Sequence, residues 1–287
     1  MPIARRTVLT GLAAFAAAGC TTGQPAPAPP APFDLGDLEV GGRLGVHAVR
    51  AGRSLSWRGR ERFTYCSTFK LFLATATLMR VQAGEEQLDR RIMIRANDLV
   101  AHAPVTGLAV GDSMTIQALC EATVELSDNP AANILIGELG GLDAWRTWYR
   151  SLNDTVTRVD RLEPHLNGIE DARDTTTPAQ FTANLQALFG AGAGRLMPAL
   201  HDLLVQWLVE TPTGIDRIRA GVPAGWRVAH KTGTSSQGPV NDIGVVFPPT
   251  GDPIFISAFW QGPESDDFST GEAAIAEATR RVIEILS

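Results

Sequence analysis

The sequence predicts an α+β protein in which an antiparallel sheet, built from both ends of the chain and flanked by helices, accompanies an all-helical lobe. Short runs of alternating apolar and polar residues occur at residues 43–57 and again at 226–260. The residues between them carry apolar side chains at helical spacing, and no internal repeat divides the chain. We expect a cleft where the sheet meets the helical lobe, because small-molecule sites form preferentially at such junctions.

The individual elements follow in chain order from these patterns. The first two strands, at 43–49 and 54–57, are separated by a turn that contains glycine, and they predict a hairpin. Helices are predicted at 68–83, 115–125, 131–139, 142–152, 178–189 and 195–208. Three further strands are predicted at 226–230, 242–247 and 254–260. The chain closes with an amphipathic helix whose apolar stripe consists of Ile275, Ala278, Val282, Ile285 and Leu286.

Composition and charge limit the classes of function. The chain has 287 residues, of which 44% are hydrophobic and 20% are charged, as is typical of globular proteins. The formal net charge is −6, and it becomes −8 without residues 1–19, which contain two arginines and no acid. An acidic chain without a basic run argues against nucleic acid as a partner. The five histidines lack the spacing of metal ligands, so we expect no metal and no cofactor.

Residues 1–19 have the features of an export signal. Arg5 and Arg6 precede the apolar stretch 8–18, which is too short to span a membrane, and twin arginines indicate the Tat route. The residues up to Cys20 resemble a lipobox, which predicts a lipid on this cysteine and a membrane-anchored periplasmic protein. A plain signal peptidase cut nearby, which would leave a periplasmic protein without an anchor, is the alternative.

The rest of the chain divides into a tether and a folded domain. Residues 20–32 are rich in proline and alanine and predict a disordered tether. The composition becomes globular at residue 33, so we expect one domain over 33–287. Its sheet lobe is predicted to comprise about 33–65 and 210–287, and its helical lobe about 66–209.

Ser67 and Lys70 stand at the start of the run 69–81, which is apolar on almost every side and therefore predicts a buried helix. Residues three apart lie on the same side of a helix, so the hydroxyl and the amine should point together into the space at its first turn. A lysine is rarely buried unless its charge is used. The pair predicts an activated nucleophile, and a capping serine before a snorkelling lysine is the plainer alternative.

The segment Ser127-Asp128-Asn129-Pro130 opens a predicted helix. Its structural interpretation is an asparagine cap followed by a proline at the first helical position. Its functional interpretation is a second hydroxyl and an amide that face the nucleophile.

The segment Lys231-Thr232-Gly233-Thr234 ends a predicted strand. A lysine and a hydroxyl suit a substrate carboxylate, and the glycine lets a ligand lie close to backbone amides that bind an oxyanion. A lysine on an edge strand before a turn is the structural alternative.

Glu163 and Asn167 lie in a stretch without periodicity. The glutamate is a candidate general base and Asn167 a candidate to hold a water. The structural interpretation is a solvated loop shaped by an ion pair between Arg161 and Asp174, and the two interpretations are compatible. Arg217 is a candidate second cation for an acidic substrate, and a surface charge is its plainer interpretation.

These motifs occur together in one order, as S-x-x-K at Ser67, S-D-N at Ser127, E-P-x-L-N at Glu163 and K-T-G at Lys231. In that order and at about these separations they resemble the motifs of the class A serine β-lactamases. The resemblance extends from about Leu44 to the C-terminus. It implies a β-lactamase and transpeptidase-like fold, a catalytic domain over the globular part, and a monomer that hydrolyses the β-lactam amide of antibiotics.

The resemblance also implies a role for each site residue. Ser67 attacks the ring carbonyl, and the amides of Ser67 and Thr234 hold the oxyanion. Lys70, or Glu163 through a water, takes the proton of the serine, and Ser127 passes a proton to the departing ring nitrogen. Glu163 then activates the water that frees the acyl-enzyme. The residues implied in substrate binding are His102, Asn129, Asn167, Arg217, Lys231, Thr232, Gly233 and Thr234.

Several positions depart from the family pattern. His102 replaces an aromatic gate residue, and His230 replaces an aspartate and is expected to tune the neighbouring lysine. The stretch 167–174 is two residues shorter than in the family. Cys66 and Cys120 match positions that form disulfides in some members, but their usual partner positions are not cysteines here, and their apolar surroundings fit free thiols.

Two other functions are compatible with parts of the pattern. A penicillin-binding D,D-peptidase shares Ser67, Lys70, Ser127 and Lys231 but lacks a deacylating carboxylate such as Glu163. A non-hydrolysing β-lactam-binding protein is the second alternative, and the sequence predicts no transmembrane signalling helix to accompany it.

Overall fold

A computed structural model describes residues 1–2, 33–190 and 195–287. The predicted leader and tether, and Cys20 with them, lie outside the described residues apart from Met1 and Pro2. The strands are β1 (Arg43–Arg50), β2 (Arg53–Trp57), β3 (Phe63–Thr64), β4 (Arg91–Met93), β5 (Ser113–Thr115), β6 (Thr175–Thr176), β7 (Arg227–Thr234), β8 (Pro239–Phe247) and β9 (Ile254–Gln261). The helices are α1 (Phe69–Gln82), α2 (Ile116–Glu125), α3 (Asn129–Leu139), α4 (Gly141–Ser151), α5 (Pro178–Phe189), α6 (Pro198–Glu210), α7 (Ile218–Gly221) and α8 (Ser269–Leu286).

The main sheet has five antiparallel strands in the order β2-β1-β9-β8-β7. β1 from the start of the domain pairs directly with β9 from its end, so the sheet is built from both ends of the chain. Successive side chains of a strand point to opposite faces, and one face packs against α8 through Ile256, Ala258 and Trp260. The other face contributes Phe255 and Phe259 to the core that the helices share. The predicted α+β class is confirmed.

α1 is the centre of the helical lobe. All ten residues from Phe69 to Leu78 are buried, as the apolar pattern predicted, and the helix contacts α2, α3 and α6. α5 lies within the stretch that we assigned to the helical lobe, yet it packs on β1, β8 and β9. One core therefore runs from the sheet into the helices, and the start of α1 lies at the junction between them.

Some boundaries differ from those that the sequence predicted. α6 begins at Pro198 and not at residue 195, because a proline disfavours helical backbone angles at the preceding residue, and Met197 is extended. β7 continues to Thr234, so the whole K-T-G motif lies inside the edge strand of the sheet. Within the described residues, none of the helices combines the length and the hydropathy that crossing a bilayer requires.

Candidate active site

Ser67 lies in a single 3-10 turn, Cys66–Thr68, that leads directly into α1. Lys70 follows in the first turn of α1, and its Nζ lies 2.9 Å from the Ser67 Oγ. The lysine side chain is fully buried, while Ser67 lines an open cleft. The structure therefore brings the predicted nucleophile and its neighbouring amine into contact, and it does not place Lys70 at the surface as the snorkelling alternative required.

The Lys70 ammonium is surrounded by oxygen atoms from two other segments, residues 127–129 and the loop that carries Glu163. It donates to the Ser127 carbonyl at 2.8 Å and to the Asn129 Oδ1 at 2.5 Å, and its Nζ lies 3.3 Å from the Ser127 Oγ. The Glu163 Oε1 lies 3.1 Å away. Burial lowers the pKa of Lys70, and the Glu163 carboxylate opposes this shift.

Glu163 contacts both the Lys70 amine and the Ser67 hydroxyl. The Ser67 Oγ donates to its Oε1 at 3.3 Å, and Asn167 Nδ2 donates to its Oε2 at 2.7 Å. The glutamate is only 2% exposed, which excludes a merely solvated loop at this point. The peptide bond between Glu163 and Pro164 is cis.

Asn133 holds the backbone of Glu163, and the sequence reasoning missed this residue. Its Oδ1 accepts from the Glu163 amide at 3.0 Å, and its Nδ2 donates to the Glu163 carbonyl at 2.9 Å. Asn133 follows Asn129 by four residues on α3, so both side chains lie on one face of that helix. This spacing was the signal that the sequence contained.

The start of α3 differs from the predicted cap. Asp128, and not Asn129, is the N-cap: its Oδ1 accepts from the Ala131 amide at 2.9 Å, and Asn129 is the first helical residue. Asp128 also accepts from the backbone amide of Thr106 at 2.9 Å and from its hydroxyl. This leaves Asn129 available to the site, where its Nδ2 donates to the Ala101 carbonyl at 2.8 Å.

The edge strand β7 comes close to the Ser67 turn at Gly233. A Cβ atom at this position would lie 2.7 Å from the Tyr65 carbonyl oxygen and 3.0 Å from the Ser67 nitrogen, so only glycine fits here. The Ser235 amide donates to the Pro239 carbonyl. Hydrogen-bonded and non-hydrogen-bonded pairs alternate along antiparallel strands, so the next pair, Thr234 with Val240, is not hydrogen-bonded. The Thr234 amide therefore points away from β8.

Lys231 lies beneath the floor of the cleft. It is fully buried, and its Nζ donates to the Thr232 carbonyl at 3.1 Å. Burial lowers the pKa of Lys231 well below its usual range; Lys70 and Arg217 add to this shift, and Asp242 opposes it. The Thr232 side chain faces the opposite way, towards the cleft wall, where its Oγ1 contacts Thr213.

Arg217 is not a surface charge. It is 4% exposed and donates to the Thr234 hydroxyl at 2.8 Å, to the Asn241 carbonyl at 2.9 Å and to Glu272 at 3.2 Å. The guanidinium lines the cleft, but its position is determined by the strand and the carboxylate that it contacts.

The two histidines that depart from the family pattern lie in different places. His102 is exposed at the cleft, and its Nε2 lies 3.0 Å from the Leu126 carbonyl oxygen. His230 is fully buried, and its Nδ1 lies 2.8 Å from the Asp242 Oδ2. Alternation along β7 places His230 on the sheet face opposite to Lys231, so any effect on the lysine is transmitted through the Asp242 carboxylate and not by direct contact.

These groups surround one cleft of about 870 Å³ between the sheet and the helical lobe. Its lining includes Ser67, Ser127 and Asn129 from the helical side and Thr232 and Thr234 from the sheet. Cys66 and Cys120 are free, buried thiols, and burial raises the pKa of both, that of Cys120 to about 12. Within the described residues, no cluster of side chains suited to a metal ion is present.

Comparisons with known proteins give a consistent result. The sequence profile of the Beta-lactamase enzyme family matches residues 38–286. The chain is 39% identical to the carbapenem-hydrolyzing β-lactamase KPC of Klebsiella oxytoca, covering 99% of this chain and 98% of that protein. It is 42% identical to β-lactamase L2 of Stenotrophomonas maltophilia, covering 79% and 77%, respectively.

Solved structures of similar proteins have the same fold. An ancestral class A β-lactamase (GNCA) superposes with a TM-score of 0.82 at 48% identity, covering 88% of this chain and 98% of that chain. A β-lactamase from Xanthomonas campestris superposes with a TM-score of 0.82 at 39% identity, covering 88% and 96%, respectively.

Proposed function

Because this chain belongs to the class A serine β-lactamases, we propose that it opens the β-lactam ring through an acyl-enzyme on Ser67 and releases the product with a water that Glu163 activates. One observation carries the proposal. The Ser67 Oγ lies within hydrogen-bond distance of two groups that can accept its proton, the Lys70 Nζ at 2.9 Å and the Glu163 Oε1 at 3.3 Å.

Acylation begins when Ser67 attacks the ring carbonyl. Lys70 is the nearer base, and burial favours its neutral form, so we assign it the serine proton in this step. The Thr234 amide on the free edge of β7 and the Ser67 amide, in the first turn of its helix, stabilise the negative oxygen. Ser127, whose Oγ is 3.3 Å from the Lys70 Nζ, passes a proton to the departing ring nitrogen.

Deacylation needs a base that faces the ester bond of the acyl-enzyme. Glu163 is held for this by Asn133 at its backbone and by Asn167 at its carboxylate. The Asn167 Oδ1 is buried and has no partner among the described residues, which suits it to accept a hydrogen bond from the attacking water. The substrate carboxylate would lie at the other end of the cleft, near Thr234, Arg217 and Lys231.

The family assignment also decides between the functions that the sequence left open. A D,D-peptidase lacks a deacylating carboxylate, whereas Glu163 contacts Ser67 here. Incubation of the protein with a penicillin, followed by ring-opening assays and intact mass, tests this directly. Fast turnover without a lasting adduct supports the proposal, and a long-lived adduct on the wild-type protein contradicts it.

The variant Glu163→Gln separates the two steps. We expect acylation to persist, because Lys70 remains, and we expect turnover to fall at least 100-fold because an amide cannot accept a proton from the water. Intact mass spectrometry should then show the enzyme mostly as the acyl adduct. Glu121→Gln, at an exposed position of α2, is the matched control and should turn over normally. Unchanged turnover in Glu163→Gln would remove this residue from the mechanism.

We further propose that the chain is exported to the periplasm and anchored by a lipid on Cys20, and that it acts as a monomer. The support is the twin-arginine leader and the lipobox-like sequence before Cys20. Cys20→Ala should move the protein from the membrane fraction to the soluble fraction. An unaltered distribution between the fractions would favour the plain signal peptidase cut. The oligomeric state is tested separately by analytical ultracentrifugation, which should give the mass of one chain.

A further inference from the structure

Charges of opposite sign line the cleft in different places. Arg217 lines it beside β7, where it contacts Thr234, and Glu170 lines it on the loop that also carries Arg161 and Asn167. The Glu170 side chain is 64% exposed, and its nearest cation, the Arg161 Nη1, is 3.5 Å away. Under the proposed function, the end with Asn129 and Asn167 receives the acyl side chain of the substrate, so Glu170 faces the part of a β-lactam that varies most.

The charge of Glu170 is not neutralised by its neighbour. The Arg161 Nε lies 2.6 Å from the Asp174 Oδ2, and this carboxylate is fully buried. Arg161 also donates to the Gly168 carbonyl at 3.2 Å, which fixes the guanidinium along the loop. Arg161 and Asp174 therefore form a pair without net charge, and Glu170 adds a full negative charge at the cleft.

Gly168 allows the carboxylate to lie where it does. A Cβ atom on Gly168 would lie 2.5 Å from the Glu170 Oε2 and 2.9 Å from the Arg161 Nη1. A side chain at 168 would require the ends of these two side chains to move, so glycine leaves room for the observed contact between them.

We propose that Glu170 is a specificity-determining residue, which favours β-lactams with an ammonium group in the acyl side chain over those with a carboxylate. The inference rests on the proposed function, because that function sets the orientation of the substrate. At a separation of about 6 Å across water, a unit charge changes affinity roughly twofold once salt screening is included. An ammonium and a carboxylate differ by twice this free energy, which corresponds to roughly fourfold in kcat/KM.

Three penicillins with one acyl skeleton provide the test: benzylpenicillin, its α-amino derivative ampicillin and its α-carboxy derivative carbenicillin. At pH 6.5 the α-amino group is protonated and the α-carboxyl group is ionised. In Glu170→Gln, the ratio of kcat/KM for ampicillin to that for carbenicillin should fall roughly fourfold relative to the wild type. Benzylpenicillin is the internal reference, and added salt should reduce the difference between wild type and variant.

Asp171→Asn is the matched control, because it removes the same charge at the next residue. The Asp171 carboxylate is paired with Arg173 at 2.8 Å and does not line the cleft. It should keep the wild-type ratio. An unchanged ratio in Glu170→Gln, an equal change in both variants, or a uniform loss for all three penicillins would each overturn the inference. Failure of the wild type to hydrolyse any of them would instead remove the proposed function on which it rests.

Discussion

Lys70 and Lys231 are the only two lysines in the sequence, since every other basic side chain besides histidine is an arginine. Both are fully buried at the candidate site. An arginine stays charged at any ordinary pH, whereas a buried lysine can lose its proton. The chain therefore keeps lysine only at two positions where burial lowers the pKa of the amine, and perturbed pKa values of this kind cluster at functional sites.

Lys231 makes stability depend on pH in a calculable direction. Burial, Lys70 and Arg217 lower its pKa in the folded state, while Asp242 and Glu163 raise it less. Between that lowered pKa and the unfolded value near 10.4, the unfolded chain binds more protons, so this group makes stability rise with pH. Lys231→Met lacks this rise. At low pH we expect the free energy of unfolding of Lys231→Met to be high relative to that of the wild type. As the pH rises between the folded and the unfolded pKa of Lys231, this difference should shrink by up to about 1.4 kcal/mol per pH unit.

Urea unfolding of both proteins from pH 6 to pH 10 measures this difference. The buried tyrosines and thiols, whose raised pKa values act in the opposite direction, contribute equally to both proteins and cancel in the comparison. A difference that stays constant across the range would mean that the Lys231 pKa is the same in the folded and unfolded states.

The sequence predicted the site residues that spacing brings together and missed those that only tertiary structure defines. Three-residue spacing was enough to place Lys70 beside Ser67, because both belong to one helix start. Asn133 contacts Glu163, which lies 30 residues further along the chain. Its helical spacing from Asn129 indicates a shared face of α3 but does not indicate this partner. Arg217 was ambiguous for the same reason, since its burial depends on β8 and on Glu272.

At the scale of elements, the edge strand β7 and the turn that carries Ser67 must lie close together. Only then can the amides of Ser67 and Thr234 both bind the oxyanion of the substrate. Gly233 sets that approach, since its position has no room for a Cβ. The helix boundaries that the sequence predicted were close because caps and prolines are local signals, such as the Thr177 cap and Pro178 of α5. The approach of β7 to α1 depends on strand pairing, which the local sequence does not specify.

Gly233→Ala tests whether this approach matters for catalysis. The added methyl meets backbone atoms of Tyr65 and Ser67, so the strand must move and the two amides must separate. Loss of one oxyanion donor typically costs 100- to 1,000-fold in kcat, and we expect a loss of this size at the acylation step, measured by single-turnover kinetics.

Gly137→Ala is the control for Gly233→Ala. Gly137 lies on α3, a Cβ there meets nothing within 4 Å, and alanine is about 0.5–1 kcal/mol better than glycine inside a helix. This variant should keep its activity and gain stability. If Gly233→Ala kept normal acylation, the Thr234 amide would not be an oxyanion donor.

At the scale of the whole molecule, an aromatic cluster connects the sheet to the helices. Phe181 on α5 lies at its centre, with ring centroids 5.9 Å from Phe259 of β9, 4.8 Å from Phe72 of α1 and 6.3 Å from Tyr149 of α4. Because one ring contacts both lobes, the cleft walls are attached to a common core. We infer that the lobes unfold together. In the folded protein the common core fixes the position of Ser67 and Glu163 relative to Thr234 across the cleft.

Phe181→Ala tests this coupling. Phe181 is fully buried, so truncation should cost about 3–5 kcal/mol of unfolding free energy through lost burial and the cavity that remains. If the cluster couples the lobes, far-ultraviolet circular dichroism and tryptophan fluorescence should give one coincident transition for wild type and variant, shifted to lower urea. Ile285→Ala, at a side chain that is 43% exposed, is the control and should shift the transition far less. Two separate transitions in the wild type would show that the lobes are independent, and a cost below 1 kcal/mol for Phe181→Ala would show that this ring does not join them.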